Sequence, residues 1–110
     1  MQLLVANQQQ RILFNFINYN RMPTIHLIIK GDVQGVFYRA TAKKVAEKIG
    51  IAGWIKNRKD DDVEAMATGT QPQLEQFISW CRRGPEKADV EDVIVKPEKE
   101  TTFDDFVVAR

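Results

Sequence analysis

The architecture is decided by residues 24–50, which read TIHLIIKGDVQGVFYRATAKKVAEKIG. Apolar residues alternate with their neighbours over 25–29, which predicts a β-strand buried on at least one face. Gly31 and Gly35 interrupt this pattern and predict a loop. Apolar residues then recur at helical spacing, at Ala42, Val45, Ala46 and Ile49. Gly50 suits the left-handed cap of that helix, so a strand, a loop and a helix follow one another.

Two further strands and a second helix are predicted downstream. Residues 51–57 and 63–67 have strand patterns, and Asp60-Asp61 between them marks a turn. Thr70, with a glutamine three residues later, predicts the capping box that starts the second helix. The apolar stripe of this helix contains Leu74, Phe77, Ile78 and Cys81.

The last part of the chain completes a two-layer fold. Gly84-Pro85 ends the second helix, and short strands are predicted over 90–95 and 106–108. Because each helix has one apolar stripe to bury, an antiparallel sheet with both helices on one face satisfies this order. The sequence therefore predicts an α+β, ferredoxin-like (βαββαβ) sandwich with a short C-terminal extra strand.

Composition limits the chemistry that this chain can perform. Its 110 residues make a domain of ordinary size, and 16 Lys and Arg against 15 Asp and Glu leave a net charge of +1. This balance gives no overall attraction to nucleic acid or anionic membrane, and we expect neither as a partner. One cysteine and one histidine exclude a disulfide framework and the usual zinc sites. We expect a cytoplasmic monomer with no cofactor and no bound metal.

The first 22 residues differ from the rest. They hold four Gln, four Asn and two Arg but no acidic residue, and they lack the features of a secretory signal. A faint likeness to an organelle transit peptide is outweighed by a simpler interpretation, a loosely ordered extension or an upstream start before Met22. We predict an N-terminal extension of unknown role over residues 1–22 and the functional domain over residues 23–110.

The fold alone decides no function, because it hosts RNA binders, metal chaperones and enzymes. An RNA-recognition module needs exposed aromatic residues on its central strands, yet residues 63–69 read VEAMATG. A metal chaperone of this topology needs a C-x-x-C motif in its first loop, and residues 31–38 contain no cysteine. Residue content therefore argues against both.

The glycine loop, residues 31–38, has the features of an anion site. Its two glycines let consecutive backbone N–H groups turn inward, and the loop leads into a helix N-terminus with its partial positive charge. Arg39 lies in the first helical turn, from which its guanidinium leans back over the loop. Such loops are often ordinary turns, and Arg39 alone is consistent with a surface residue.

Asn57 ends the second predicted strand, eighteen residues after Arg39. A strand-ending asparagine is most often a turn former. Beside a phosphate site, its amide has a second use, since it can accept from and donate to a water and fix that water's direction of attack.

Together these segments resemble the acylphosphatase family. The stretches GDVQGVFYR (31–39) and GWIKN (53–57) are similar to the two motifs of that family. Three later segments also fit it, at residues 60–64, 77–90 and 106–108. The resemblance covers residues 24–110 and excludes the extension. Two motifs at the right separation are more specific than either alone.

The resemblance implies hydrolysis of acyl phosphates to a carboxylate and inorganic phosphate, with phosphate also a competitive inhibitor. It implies that Arg39 and Asn57 are catalytic, Arg39 holding the phosphoryl group and Asn57 orienting the water. The backbone predicted to bind phosphate is that of Gly31, Asp32, Val33, Gln34, Gly35, Val36, Phe37 and Tyr38.

Two alternatives stay open. The first is a non-catalytic module that binds phosphate-bearing ligands or protein with the same loop. The second is kinship to the acylphosphatase-like front domain of a larger carbamoyl-transfer enzyme of hydrogenase maturation. Against the second, the sequence ends at Arg110 without downstream zinc motifs.

Three residues need separate comment. Asp61 stands where the family usually has glycine in the hairpin turn, and because aspartate tolerates positive φ, we expect the turn to form with some strain. His26 lies mid-strand, before the glycine loop, and we expect a structural role for it. Cys81 lies on an apolar helical stripe, which predicts a core residue rather than a nucleophile.

Overall fold

The computed structural model describes residues 21–110, so the predicted extension lies outside the described residues apart from Arg21 and Met22. The elements follow in the order β1 (Thr24–Asp32), α1 (Tyr38–Ile49), β2 (Ala52–Asn57), β3 (Val63–Thr68), α2 (Gln71–Arg83), β4 (Asp89–Glu98) and β5 (Phe106–Val108). This is the predicted ferredoxin-like βαββαβ order with a short extra strand.

The sheet has the strand order β4-β1-β3-β2-β5. Its first four strands are antiparallel to their neighbours, with Leu27 of β1 opposite Ala65 of β3 and Val95 of β4. The extra strand β5 instead runs parallel to β2, with Gly53 opposite Phe106. The complete sheet is therefore mixed, because the chain returns from β4 to the far edge in the direction of β2.

The core lies on one face of the sheet. Buried residues alternate along β1 and β3, as the period of a strand requires. The helices cover this face with the stripes predicted from their spacing, and Phe77 of α2 meets Phe106 of β5 edge-on, with ring centroids 5.7 Å apart. This contact connects the edge strand β5 to the core.

The helix ends follow the sequence signals. Gly50 caps α1 with φ 99°, and its N–H donates to the carbonyl of Ala46. At the start of α2, the hydroxyl of Thr70 accepts from the N–H of Gln73, whose side chain accepts from the N–H of Thr70 in return. The predicted capping box is thus present.

The end of α2 is completed by a residue from the other helix. The carbonyl of Cys81 would ordinarily accept from the N–H four residues later, but that residue is Pro85, which has none. The buried hydroxyl of Tyr38 donates to this carbonyl at 2.8 Å instead. Burial raises the pKa of the Cys81 thiol to about 12, which fits the predicted core position and leaves it unreactive.

The β2–β3 turn contains the strain expected from its sequence. Asp61 has φ 73°, inside the left-handed region. The turn is closed by the N–H of Arg58, which donates to the carbonyl of Asp62, and by the carboxylate of Asp60, which accepts from the N–H of Asp62. The hairpin therefore forms despite the missing glycine.

Replacing Asp61 by glycine should stabilise the protein. A left-handed non-glycine residue costs about 1–2 kcal/mol, and part of that gain is lost to the greater freedom of glycine in the unfolded chain. We expect Asp61→Gly to raise the free energy of unfolding by about 0.5–1 kcal/mol, measured by urea denaturation. The matched Asp61→Ala variant keeps the strain and should show no gain. A glycine variant less stable than the alanine variant would contradict this account.

Candidate active site

A cavity of about 280 Å³ opens between the glycine loop, the start of α1 and the end of β2. We call it the loop cavity, and it is lined by Val33, Gly35, Phe37, Tyr38, Arg39, Ala40, Asn57 and Val108. The two residues predicted to be catalytic therefore open onto one space. Of the other loop residues, Gly31 and Asp32 lie in β1 opposite Val90 and Asp89, and Gln34 and Val36 do not line the cavity.

The middle of the glycine loop, from Val33 to Phe37, has backbone amides without a partner among the described residues. Within residues 21–110, none of the five N–H groups from Val33 to Phe37 donates a hydrogen bond. Phe37 precedes α1 as its N-cap, yet no side chain caps the helix and its first turn contains no acidic residue. Unpaired amides and an uncapped helix N-terminus together make a field that favours an anion.

Arg39 is the cation of this cavity. It is half-buried, and within the described chain no carboxylate lies within 4.0 Å of its guanidinium. Its one side-chain hydrogen bond within residues 21–110 is long, from Nη1 to the carbonyl of Ala109 at 3.4 Å. That carbonyl belongs to a segment tied to β2, since the N–H of Ala109 donates to the carbonyl of Ile55 at 2.7 Å. The guanidinium can therefore direct most of its donors to a ligand.

Asn57 lines the same cavity and carries an acceptor without a partner among the described residues. It is the last residue of β2, and its Oδ1 is buried without a hydrogen-bond partner among residues 21–110. A buried amide oxygen without a donor costs free energy, and such groups are rare in folded proteins. When the side chain turns toward the cavity, this oxygen can accept from a donor that comes with the ligand, such as a water molecule.

Comparison with known proteins gives one family. The family model for acylphosphatase matches residues 25–108. A curated acylphosphatase of Syntrophus aciditrophicus is 43% identical over 86 residues, which are 77% of this chain and 90% of the relative. The chain belongs to the acylphosphatase family. It is an enzyme of that class.

Solved structures agree with this assignment. An acylphosphatase from Coxiella burnetii matches with a TM-score of 0.78 and 34% identity, covering 80% of this chain and 93% of that one. The HypF of T. kodakarensis matches with a TM-score of 0.71 and 25% identity, but only 12% of its chain is covered. Of these two matches, the one to the Coxiella burnetii acylphosphatase spans most of both chains.

One contact of the acylphosphatase loop was missed by sequence reasoning. The side chain of Gln34 donates from Nε2 to the carbonyls of Arg58 and Asp62, at 2.9 and 2.8 Å. These two carbonyls flank the turn that follows Asn57, so one amide ties the glycine loop to the strand end that carries Asn57. The sequence identifies Gln34 only as a loop residue, since its partners lie 24 and 28 positions away.

Charges around the turn are mostly paired with each other. Arg58 donates to Asp60, which holds the pKa of that carboxyl below its ordinary value. Lys30 pairs with Asp62 at 2.8 Å, and the hydrogen bond raises the pKa of Lys30. These charges neutralise one another locally, whereas Arg39, which lines the loop cavity, has no carboxylate partner among residues 21–110.

Other side chains of this acylphosphatase lie outside the cavity chemistry. His26 pairs with Glu64 at 2.7 Å and does not line the loop cavity. Among residues 21–110, no group of three His, Cys, Asp or Glu side chains is placed to hold a metal ion. Neither described helix, at 12 and 13 residues, has the length or apolar character to span a bilayer.

Removing the Gln34 donors should impair the site more than the fold. Gln34→Met keeps the length of the side chain but loses both hydrogen bonds, so the amides and Asn57 are no longer held together. We expect kcat/KM for acyl phosphate to fall about tenfold, since small displacements of reacting groups are costly, and stability to fall by about 1 kcal/mol. Gln76→Met, on the exposed face of α2, is the matched control. An unchanged kcat/KM for Gln34→Met would show that the loop holds its geometry unaided.

Proposed function

We propose that this acylphosphatase hydrolyses acyl phosphates by in-line attack of a water that Asn57 orients on a phosphoryl group held by Arg39 and the loop amides. The observation that carries the proposal is that three kinds of group occur together at one cavity: loop amides that donate no hydrogen bond within residues 21–110, a guanidinium without a carboxylate partner there, and an amide oxygen without a hydrogen-bond partner there. Each of these groups is matched by one part of the reaction.

The phosphoryl group is the first part. Phosphoryl transfer passes through a loose transition state in which charge spreads over the equatorial oxygens, so catalysis depends on positioning and on neutralising that charge. The loop amides supply fixed donors, and Arg39 supplies a planar, charged pair of donors.

No metal ion is needed for this assignment, and we expect full activity to survive exhaustive dialysis against EDTA.

The leaving group needs little help. The bond from phosphorus to the acyl oxygen breaks as the bond from the water oxygen forms, which releases a carboxylate and inorganic phosphate. A carboxylate with a pKa of about 4 leaves without protonation, so a general acid is unnecessary. The phosphate group, whose second pKa is near 6, can itself accept the proton of the attacking water.

Asn57 acts on the water in this scheme. The Oδ1 of Asn57 accepts a hydrogen bond from the water, and this hydrogen bond orients a lone pair of the water oxygen toward phosphorus. We assign the catalytic unit to residues 23–110, because the family match begins at residue 25 and the carbonyl of Pro23 already accepts from the N–H of Gly69 at the sheet. Product phosphate should occupy the same donors and inhibit competitively.

The two residues should fail differently when they are replaced. Arg39→Ala should abolish turnover of benzoyl phosphate and also abolish binding of inorganic phosphate, because Arg39 contacts the phosphoryl group in substrate and product alike. Asn57→Ala should lower kcat by about 100-fold or more and leave phosphate binding nearly unchanged, since bound phosphate does not need the water. Loss of benzoyl phosphate absorbance measures turnover, and isothermal titration with phosphate measures binding.

Control variants make this comparison decisive. Arg39→Lys should rescue poorly, because an ammonium lacks the planar fork. Arg58→Ala lies outside the loop cavity and should behave as the wild type. If Asn57→Ala loses phosphate affinity as severely as Arg39→Ala, Asn57 belongs to the phosphate site and not to the water. Phosphate binding without turnover in the wild type would favour the non-catalytic binding module.

A further inference from the structure

Phe37 combines two unfavourable features, an exposed aromatic ring and a strained backbone. Its side chain is 80% exposed, and its backbone lies in the left-handed region with φ 63° and ψ 22°. Bulky residues are genuine outliers there, and glycine or asparagine adopts the conformation more readily. As the N-cap of α1, it contributes only its carbonyl, which accepts from the N–H of Thr41 at 3.0 Å, and any residue supplies that group.

Phe37 lines the loop cavity, and its side chain is exposed there rather than buried in the core. Ala40 and Val108, which is itself 39% exposed, line the same cavity, and we call these three residues its apolar lining. Arg39 and Asn57 supply polar groups to the same space. An acyl phosphate has the same two-part character, with an anionic phosphoryl group joined to an acyl group that is often apolar.

We propose that Phe37 is a specificity-determining residue that holds flat, apolar acyl groups of the substrate against its ring. The inference rests on the proposed function, which places the phosphoryl group between Arg39 and the loop amides. With the phosphoryl end of the substrate fixed there, the acyl group extends past the apolar lining toward solvent. An aromatic ring offers it a large contact area with few rotatable bonds to order.

A competing surface favours a different acyl class. An open basin on the other side of Asn57 is lined by Lys56, Arg58, Lys59 and Arg110, together with Asp60 and Glu64. It would suit an acyl group with a second negative charge. Its cations are partly neutralised, because Arg58 pairs with Asp60 at 2.9 Å and lies 3.9 Å from Glu64, and Lys56 lies 3.8 Å from the same Glu64. The apolar lining of the loop cavity is therefore the better supported site for the acyl group.

Two substrates and three variants test the proposal. Phe37→Gly and Phe37→Asn remove the ring and accept the left-handed backbone, whereas Phe37→Tyr keeps the ring. We expect both ring-free variants to lower kcat/KM for benzoyl phosphate about fivefold, through KM, because the contact is made equally in the ground state and the transition state. For acetyl phosphate, the loss in kcat/KM should be smaller, since its methyl group is too small to reach the ring, so the ratio of kcat/KM for benzoyl phosphate to that for acetyl phosphate should fall. Phe37→Tyr should keep the wild-type ratio.

Stability supplies the second readout. Because the ring is exposed and its backbone strained, neither ring-free variant should lower the unfolding temperature. Ile94→Ala, which removes an exposed apolar side chain on β4 outside the loop cavity, should leave the substrate ratio unchanged. A fall in the unfolding temperature of more than about 4 °C in Phe37→Gly, roughly the effect of 1 kcal/mol, would mean that the ring serves the fold and would overturn the proposal.

The remaining outcomes are equally decisive. If the wild type hydrolyses both substrates and Phe37→Gly leaves their ratio unchanged, the specificity role is wrong while the proposed function stands. Equal losses on both substrates would mean that Phe37 shapes the phosphate site, which also overturns it. A wild-type preference for succinyl phosphate over benzoyl phosphate would assign the acyl group to the basin. If the wild type hydrolyses neither benzoyl nor acetyl phosphate, the proposed function fails, and this inference fails with it.

Discussion

Five consecutive loop amides that have no acceptor among residues 21–110 are the constraint on which this end of the molecule depends. A loop that satisfied its own N–H groups would be more stable, but it could not present them to an anion. The glycine loop must therefore be held by other means. Val33 and Tyr38, each 1% exposed, anchor its two ends in the core, and the side chain of Gln34 ties its middle to the β2–β3 turn.

Tyr38 connects this loop to the far helix. Its hydroxyl occupies the place of the N–H that Pro85 lacks, and its ring packs against Trp80 with centroids 5.2 Å apart. Arg39 follows Tyr38 directly, so the backbone from which the guanidinium extends is anchored by a side chain that is itself held at both the ring and the hydroxyl. Packing between α1 and α2 thus reaches the site through Tyr38, and it helps to hold the half-buried cation beside loop amides that donate no hydrogen bond within residues 21–110.

The fold could be predicted from the sequence, because periodicity and helix caps identify its elements. That Arg39 and Asn57 would lie at one site could also be predicted, because they belong to two motifs at a set separation. The sequence was insufficient where a role depends on a distant partner. Gln34 finds its acceptors 24 and 28 residues away, and nothing in a glutamine specifies them. The parallel direction of β5 is similar, since a three-residue strand has no pattern that distinguishes its two possible orientations. The left-handed backbone of Phe37 was also missed, because the residue type argues against it.

Unfavourable local features of this chain are of two kinds: some lie at the loop cavity, and one lies in the β2–β3 turn. The unpaired loop amides, the Oδ1 of Asn57 and the strained backbone of Phe37 belong to residues at or next to one cavity. The strain at Asp61 lies in a turn outside that cavity. In the proposed function, a bound substrate supplies partners for the amides and for Asn57, and the strain at Phe37 accompanies a ring that contacts the acyl group. Strain of the second kind persists only because the hairpin is held well enough elsewhere, by the turn hydrogen bonds of Arg58 and Asp60, to tolerate it.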